Sequence, residues 1–390
     1  MQNFSSKKVF IEEQNIESMI QTKNVDWVNT IFIVSYHLLL LSLLPIYFIF
    51  NTPSFGLIVT TIILSILISF SITAGYHRLY AHQAYDLNKI GEFLILAFST
   101  LAIENSALQW SRDHRMHHRY VDTEKDPYSI KQGFWHAHML WVLKKNYERT
   151  SDYGLVPDLV KNKAVMFQHK YYTALVILGN LAVIGLLSWI FKDLFGVMVI
   201  ACLARVFLIH HMTWLINSLA HMLGSRPYSK EHSAVNNAVL ALFTFGEGYH
   251  NYHHTFPSDY RNGVRWYQYD PTKIVIWCLA KIGMAKNLKK VELPLIKRKM
   301  ILEDQRMVLE RIRVLSQKKW KEVEKQVKKA AESLNAKLLE RYALMMKYKL
   351  KKREERKEMK LKIRALKKSI QEEYKNWIRV CSRILVTKTM

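Results

Sequence analysis

The stretch GEGYHNYHH, residues 246–254, carries His250, His253 and His254 at spacing i, i+3, i+4. Side chains three and four apart lie on one helical face with Cβ atoms about 5–6 Å apart, so these imidazoles can point at one metal or at a metal pair. One such cluster alone could be a solvated turn, but the chain repeats the theme. HRLYAH brings His77 and His82, HRMHH brings His114, His117 and His118, and NSLAH brings Asn217 and His221 one helical turn apart. An H-x4-H pair does not fall on one face of a straight helix, so a fraying helix end is expected there, with His77 and His82 approaching from two directions. Nine neutral imidazoles with few carboxylates suit iron, copper or zinc rather than magnesium or calcium. A single zinc takes three or four ligands; nine nitrogens suffice for two metals, each with positions left open.

Elements able to position these residues follow from hydropathy. Residues 27–50, 55–76, 171–191 and 195–217 are apolar runs long enough to cross about 30 Å of hydrocarbon as helices. The linkers 51–54 and 192–194 pair them into two hairpins, joined by a polar segment from His77 to Lys170. The first run begins near residue 27 and is too long for a signal-peptide core, so no signal peptide is expected. Lys and Arg crowd the N-terminus, the middle segment and the C-terminal third, while the hairpin loops hold only Lys192. The positive-inside rule then puts both termini and the middle segment in the cytosol. Each histidine group lies at or beyond the cytosolic end of a span, where all can share one plane. The expectation is an all-α integral membrane protein: four transmembrane helices in two hairpins, a cytosolic helical cap holding a di-metal site, and a long basic helical extension. Its domains would be a cytosolic segment 1–26, a four-helix transmembrane domain with its cytosolic cap 27–290 and a basic helical extension 291–390.

Residues 27–288 resemble the membrane fatty-acyl desaturases, most closely the acyl-CoA delta-9 (stearoyl-CoA type) desaturases. The resemblance rests on TAGYHRLYAH, WSRDHRMHH, TWLINSLAH with RPY after it, and GEGYHNYHHTFPSDYR, in that order between two hairpins. It implies that His77, His82, His114, His117, His118, His221, His250, His253 and His254 hold two irons, and that Asn217 reaches a metal through water. It also implies O2-dependent insertion of a cis double bond, a bent tunnel shaped by Thr213 and Trp214, and substrate contacts at Asn105, Trp110, Arg112 and Asp113. Glu104 departs from the family pattern, which has an uncharged amide there. Lys144 and Lys145 resemble a basic pair facing coenzyme A phosphates, or are simply positive-inside charge. His37, His136, His138, His169, His210, His211 and His232 fall in no family box, and the pair His210–His211 reads as structural.

A saturated methylene has no acidic proton and no leaving group, so an oxidant made from O2 at a metal is required. The sequence shows no G-x-G-x-x-G, no C-x-x-C-H and no cluster-binding set among Cys202, Cys278 and Cys381. Electrons are therefore expected from a separate partner of the ferredoxin, rubredoxin or haem cytochrome type. The ridge Thr61, Ser65, Ser69, Thr73, His77 recurs every four residues. It is either helix packing or the lining of an acyl tunnel ending near Ser65 to Ser69, with Thr61 just beyond.

Net charge is +25, and residues 301–390 hold 27 Lys and Arg against 12 Asp and Glu. No glycine follows Gly283 and no proline follows Pro294, so a long helix or a pair of helices is expected. Val323, Val327, Ala330, Leu334 and Leu338 form an apolar seam that KYKLKKREERKEMKLK interrupts. The reading is a solvated basic helix resting on anionic lipid, not on nucleic acid, with a helix that binds a specific protein partner as the alternative. Rival functions are an acyl-lipid desaturase or fatty-acyl hydroxylase sharing the histidine boxes, and a metal-binding membrane scaffold acting through its basic tail.

Overall fold

The computed structural model describes residues 25–144, 153–315, 320–350 and 356–386; Lys145 and almost all of 1–26 lie outside them. Four helices have the length and hydropathy to cross a membrane: α1 (Trp27–Phe50), α2 (Phe55–Ala81), and two later ones at Tyr172–Phe191 and Leu194–His221. Between the hairpins lie α3 (Lys89–Thr100), α4 (Ala107–Tyr120), α5 (Phe134–His138) and α6 (Lys163–Lys170). The second hairpin is then α7 (Tyr172–Phe191) and α8 (Leu194–His221). Leu38, Leu41 and Phe48 of α1 and Ile177, Leu181 and Trp189 of α7 are exposed. Apolar surface of that extent on successive turns is unfavourable in water and natural against lipid. The protein is an integral membrane protein of all-α type.

The first hairpin departs from the expected fray. From Ser71 to Ala81 helix α2 is a π-helix, and the His82 N–H bonds the His77 carbonyl at 3.1 Å. Bonding five residues back widens the turn, so His77 and His82 come together with ring centroids 4.9 Å apart. Spacing that mismatches an α-helix matches this one. Helix α8 also contains a π-helical stretch, Val197–Ala204, before resuming as α-helix through Ser218. Its buried Arg205 bonds the Leu101 carbonyl and Asn180 Oδ1, tying α8 to α7 and to the end of α3.

The segment between the hairpins is more than a polar loop. Ile95 and Leu96 of α3 and Leu108 of α4 join Ile68, Ile72, Tyr76 and Tyr80 of α2 and Ile209 of α8 in one core. Gln168 of α6 satisfies three buried groups there: it donates to the Tyr76 hydroxyl and Thr100 Oγ1 and accepts from the Ala107 N–H. After α8 come α9 (His250–Thr255) and α10 (Pro271–Lys281). A two-residue antiparallel ribbon, Asp86–Leu87 with Ala285–Lys286, staples the start of the middle segment to the chain beyond α10.

The extension also differs from expectation. Its described residues form three helices, α11 (Leu293–Leu315), α12 (Trp320–Leu350) and α13 (Arg356–Val386), which pack on one another. Their buried seams are Ile301, Val308 and Ile312; Val327, Ala331, Leu334 and Leu338; and Ile370, Trp377, Cys381 and Ile384. Each seam advances by sevens or by fours and threes, the spacing of packed coiled-coil faces. Ala331, not the exposed Ala330, continues the expected seam. The charged stretch that interrupts the expected seam falls where α12 ends and α13 begins. The bundle rests on the loop after α8: Glu303 accepts the Lys230 N–H, Lys299 pairs with Glu231, and Ile296 packs with Tyr228 and Tyr252.

Leu334→Ala should destabilise this bundle by about 2–5 kcal/mol, the range for a buried leucine. Limited proteolysis of the full-length protein should then cut faster within residues 320–386. An unchanged rate would mean the seam is not the bundle's core.

Candidate metal centre

The nine histidines selected by spacing come together at the ends of α2, α4 and α8 and along α9. They sort into two groups, each with ligand-capable atoms within 4.8 Å of one another. The first is His77, His82, His114, His118 and His253; the second is His117, His221, His250 and His254. The groups adjoin, with the His118 and His254 rings stacked at 4.1 Å. Helix α4 places His114 and His118 on one side and His117 on the other, so a single turn feeds both.

The outward nitrogens decide which way the lone pairs point. His77 Nδ1 meets Glu247 Oε2 at 2.9 Å, and His117 Nδ1 meets Asp126 Oδ1 at 2.8 Å. His221 Nδ1 meets Ser233 Oγ at 2.7 Å, and Ser233 is itself held by both carboxylate oxygens of Asp122. His114 Nδ1 meets the Tyr128 hydroxyl at 3.2 Å. A proton held on Nδ1 by a carboxylate leaves Nε2 as an inward lone pair. Inside, His77 Nε2 and His118 Nε2 both lie 2.9 Å from His253 Nε2, and His254 Nε2 lies 3.2 Å and 3.0 Å from those of His117 and His250. One proton cannot serve two such contacts at once. His221 Nε2 is buried with no partner among the described residues. Converging lone pairs and an orphaned nitrogen fit a cation, and nitrogen donors fit a transition metal rather than magnesium or calcium.

Electrostatics agree. Burial first, and neighbouring imidazoles second, hold His82, His114, His118, His250, His253 and His254 well below the usual histidine range. They are neutral and able to donate. Glu247 is buried, which alone would raise its pKa, yet Arg78 and His77 hold the carboxyl below the usual range. The buried Arg78 guanidinium bridges Glu247 and Asp270, and Asp270 caps α10 through the Lys273 N–H. Gly246, with φ of 101°, is required beside them: a Cβ there would lie 2.6 Å from Asp270 Oδ1.

Two cavities reach the centre. One is lined by Ser69, Ile72, Thr73, His77, Ile209 and Phe245 among others, and the second by Ile33, Glu104, Asn105, Asp113, Trp141 and Trp214 among others. They share Trp110, His114, Thr213 and Asn217. Of the ridge on α2, Ser69 and Thr73 line the first cavity with His77; Ser65 and Thr61 line neither of the two, and Ser65 bonds back to the Thr61 carbonyl. Arg112 lines neither cavity. Its guanidinium grips Asp113 Oδ1 at 2.8 Å and lies over the Tyr153 ring. Lys144 is exposed at the end of the described segment.

Outside the two groups, His210 bonds Tyr36 and the Ala102 carbonyl, and His211 sits between His37 and His138. His232 was not singled out by spacing, but its ring lies 5.1 Å from that of His254, with both nitrogens unpartnered among the described residues. Spacing also missed Glu247, Asp126, Asp122 and Ser233, the partners that orient the imidazoles. Glu247 carried a signal, a lone acid between two glycines ahead of three histidines.

The profile of the fatty acid desaturase family matches residues 53–284. A probable acyl-CoA desaturase of Schizosaccharomyces pombe is 40% identical over 291 residues, 71% of this chain and 57% of that protein. Acyl-CoA desaturase 1 of Saccharomyces cerevisiae is 39% identical over 239 residues, 61% of this chain and 47% of that protein. Human stearoyl-CoA desaturase 5 is 34% identical over 236 residues, 59% of this chain and 72% of that protein. The chain thus spans about half the length of the two yeast relatives.

Asp126→Asn keeps every imidazole but removes the carboxylate that orients His117. Metal retention during dialysis against a chelator, followed by elemental analysis, should fall about 10- to 100-fold. Retention equal to the parent's would remove Asp126 from the centre.

Proposed function

The chain belongs to the fatty acid desaturase family, and from that premise we propose that it is an acyl-CoA delta-9 desaturase. The observation that carries the reading is the junction of the five-histidine group, through His77 and His114, with two cavities that share Trp110, His114, Thr213 and Asn217. The relatives' names favour the acyl-CoA substrate, and no observation favours an acyl-lipid desaturase, a hydroxylase or a scaffold.

The overall change is R–CH2–CH2–R′ + O2 + 2 e⁻ + 2 H⁺ → R–CH=CH–R′ + 2 H2O. Two irons held by the nine histidines, one of them also served by Asn217 through water, would supply the oxidant that a saturated C–H bond demands. The chain's own residues supply position. Glu247, Asp126 and Ser233 fix the ring orientations of His77, His117 and His221. Ile72, Ile209 and Phe245 give the acyl chain a wall that repels water. Trp110, Thr213 and Trp214 would hold one methylene pair at the turn of the tunnel, where orientation replaces a search in solution. Asn105, Arg112 and Asp113 would face the coenzyme A end, Arg112 acting through Asp113.

The termini and the centre are read as cytosolic from the distribution of Lys and Arg. Two electrons would come from a separate donor of the ferredoxin, rubredoxin or haem cytochrome type. The basic bundle α11–α13 would hold anionic headgroups, each exposed Lys or Arg contributing about 1 kcal/mol near such a surface.

Expression in a desaturase-deficient host should yield cis-9 monounsaturated acyl chains by mass spectrometry, and His118→Ala should yield none. Products at another position, or hydroxylated ones, would replace this reading. Asn217→Leu should lower turnover about 10- to 100-fold with normal protein level. Full turnover in that variant would exclude Asn217 from the metal's surroundings.

A further inference from the structure

Glu104 is a carboxyl where the proposed substrate offers only methylenes. It occupies the turn between α3 and α4, flanked by two residues with left-handed backbone, Ile103 at φ of 60° and Asn105 at φ of 73°. For a β-branched isoleucine that conformation is strained, and strain of this kind persists where surrounding structure enforces it. The turn aims the carboxyl at the second cavity. There Thr213 Oγ1 donates to Glu104 Oε1 at 2.8 Å and Trp110 Nε1 donates to Oε2 at 3.3 Å. Thr213 and Trp110 are two of the four residues common to both cavities, so Glu104 braces the point where they meet.

No ion pair among the described residues includes Glu104. The titratable groups around it are Tyr36 of α1, Tyr76 of α2, Tyr172 of α7, His210 of α8, and Asp113 and His114 of α4. Arg112 grips Asp113, Tyr36 bonds His210, Gln168 donates to the Tyr76 hydroxyl, and His114 bonds Tyr128. Hydrogen bonds from Thr213 and Trp110 are the carboxylate's support.

We infer that Glu104 determines substrate binding by its protonation: an acyl chain enters the bend only when this carboxyl is neutral, so binding takes up a proton. The inference rests on the acyl-chain reading of the cavities. An ionised carboxylate loses its remaining access to water when methylenes cover it, whereas a protonated one keeps both hydrogen bonds and sheds the charge. Burial already pushes Glu104 up to about 7 in the free protein, against the Thr213 and Trp110 bonds that lower it. The sign follows. Below that value the neutral form dominates and affinity is flat; above it the competent fraction falls tenfold per pH unit, and apparent affinity falls with it.

Stearoyl-CoA binding to the full-length protein in detergent, without reductant so that nothing turns over, tests this in wild type and Glu104→Gln. Between about pH 6 and 8 the wild-type Kd should rise roughly tenfold beyond any rise in the variant. The coenzyme A phosphates titrate identically in both proteins. Acetyl-CoA, with the same head group and no long chain, should show no difference between the two proteins. At about pH 8, adding stearoyl-CoA to wild type should also increase the infrared carbonyl band of a protonated carboxylic acid, a readout that needs no variant. Parallel pH curves with no such band would overturn the inference and leave the acyl-CoA reading standing. Absence of saturable stearoyl-CoA binding by wild type at every pH would overturn the acyl-CoA reading itself.

Discussion

Lone pairs that face one another repel unless something positive lies between them, and nearby structure must hold them there before it arrives. That constraint governs this protein. Four of the nine imidazoles have an outer nitrogen fastened to a carboxylate or hydroxyl, and those fastenings are themselves anchored. Glu247 orients His77 while Arg78 and Asn262 hold Glu247, and Arg78 stays buried because Glu247 and Asp270 share its charge. Asp270 in turn begins α10, so a helix with no ligand of its own helps set the direction of a ligand on α2. The same loop that carries Ser233 to His221 carries Lys230 and Glu231 to the C-terminal bundle. Membrane hairpins, cap and extension thus meet at the metal centre's outer partners.

The histidines that cluster were legible in the sequence and their supports were not, for a physical reason. Histidine is rare enough for its spacing to be informative, whereas Glu247, Asp126 and Ser233 are ordinary polar residues whose meaning depends on what folds against them. The pair His77 and His82 shows the limit most clearly. Their separation is visible in the sequence, but whether the backbone bonds four or five residues back is settled by packing around α2. Fraying was the reasonable expectation and a π-helix is the outcome. In the extension, adjacent alanines left the seam ambiguous by one residue, and the charged stretch read as interrupting it separates two helices of a bundle.

The spans were legible from hydropathy, yet two properties inside them were not. Buried Arg205 lies within an apolar helix, satisfied by one carbonyl of its own helix, the Leu101 carbonyl and Asn180. The chain His37, His211, His138 runs between α1, α8 and α5. Polar groups at such depth are costly alone and tolerable when they satisfy each other, so they are recognisable as pairs only once the helices are assembled.

The dispersal of the ligands also dictates an order of events during synthesis. The five-histidine group needs residues from both ends of the membrane domain, His77 and His253. A chain halted before the second hairpin can possess His77, His82, His114 and His118 but no complete pocket. The second hairpin must be inserted and the segment beyond it threaded back under the first before either group closes. Contacts so distant in sequence form late. The helices of the extension, by contrast, meet neighbours close in sequence and need no such wait. The two histidine groups therefore close only after insertion, and a cell that limits insertion limits the assembled site before it limits the polypeptide.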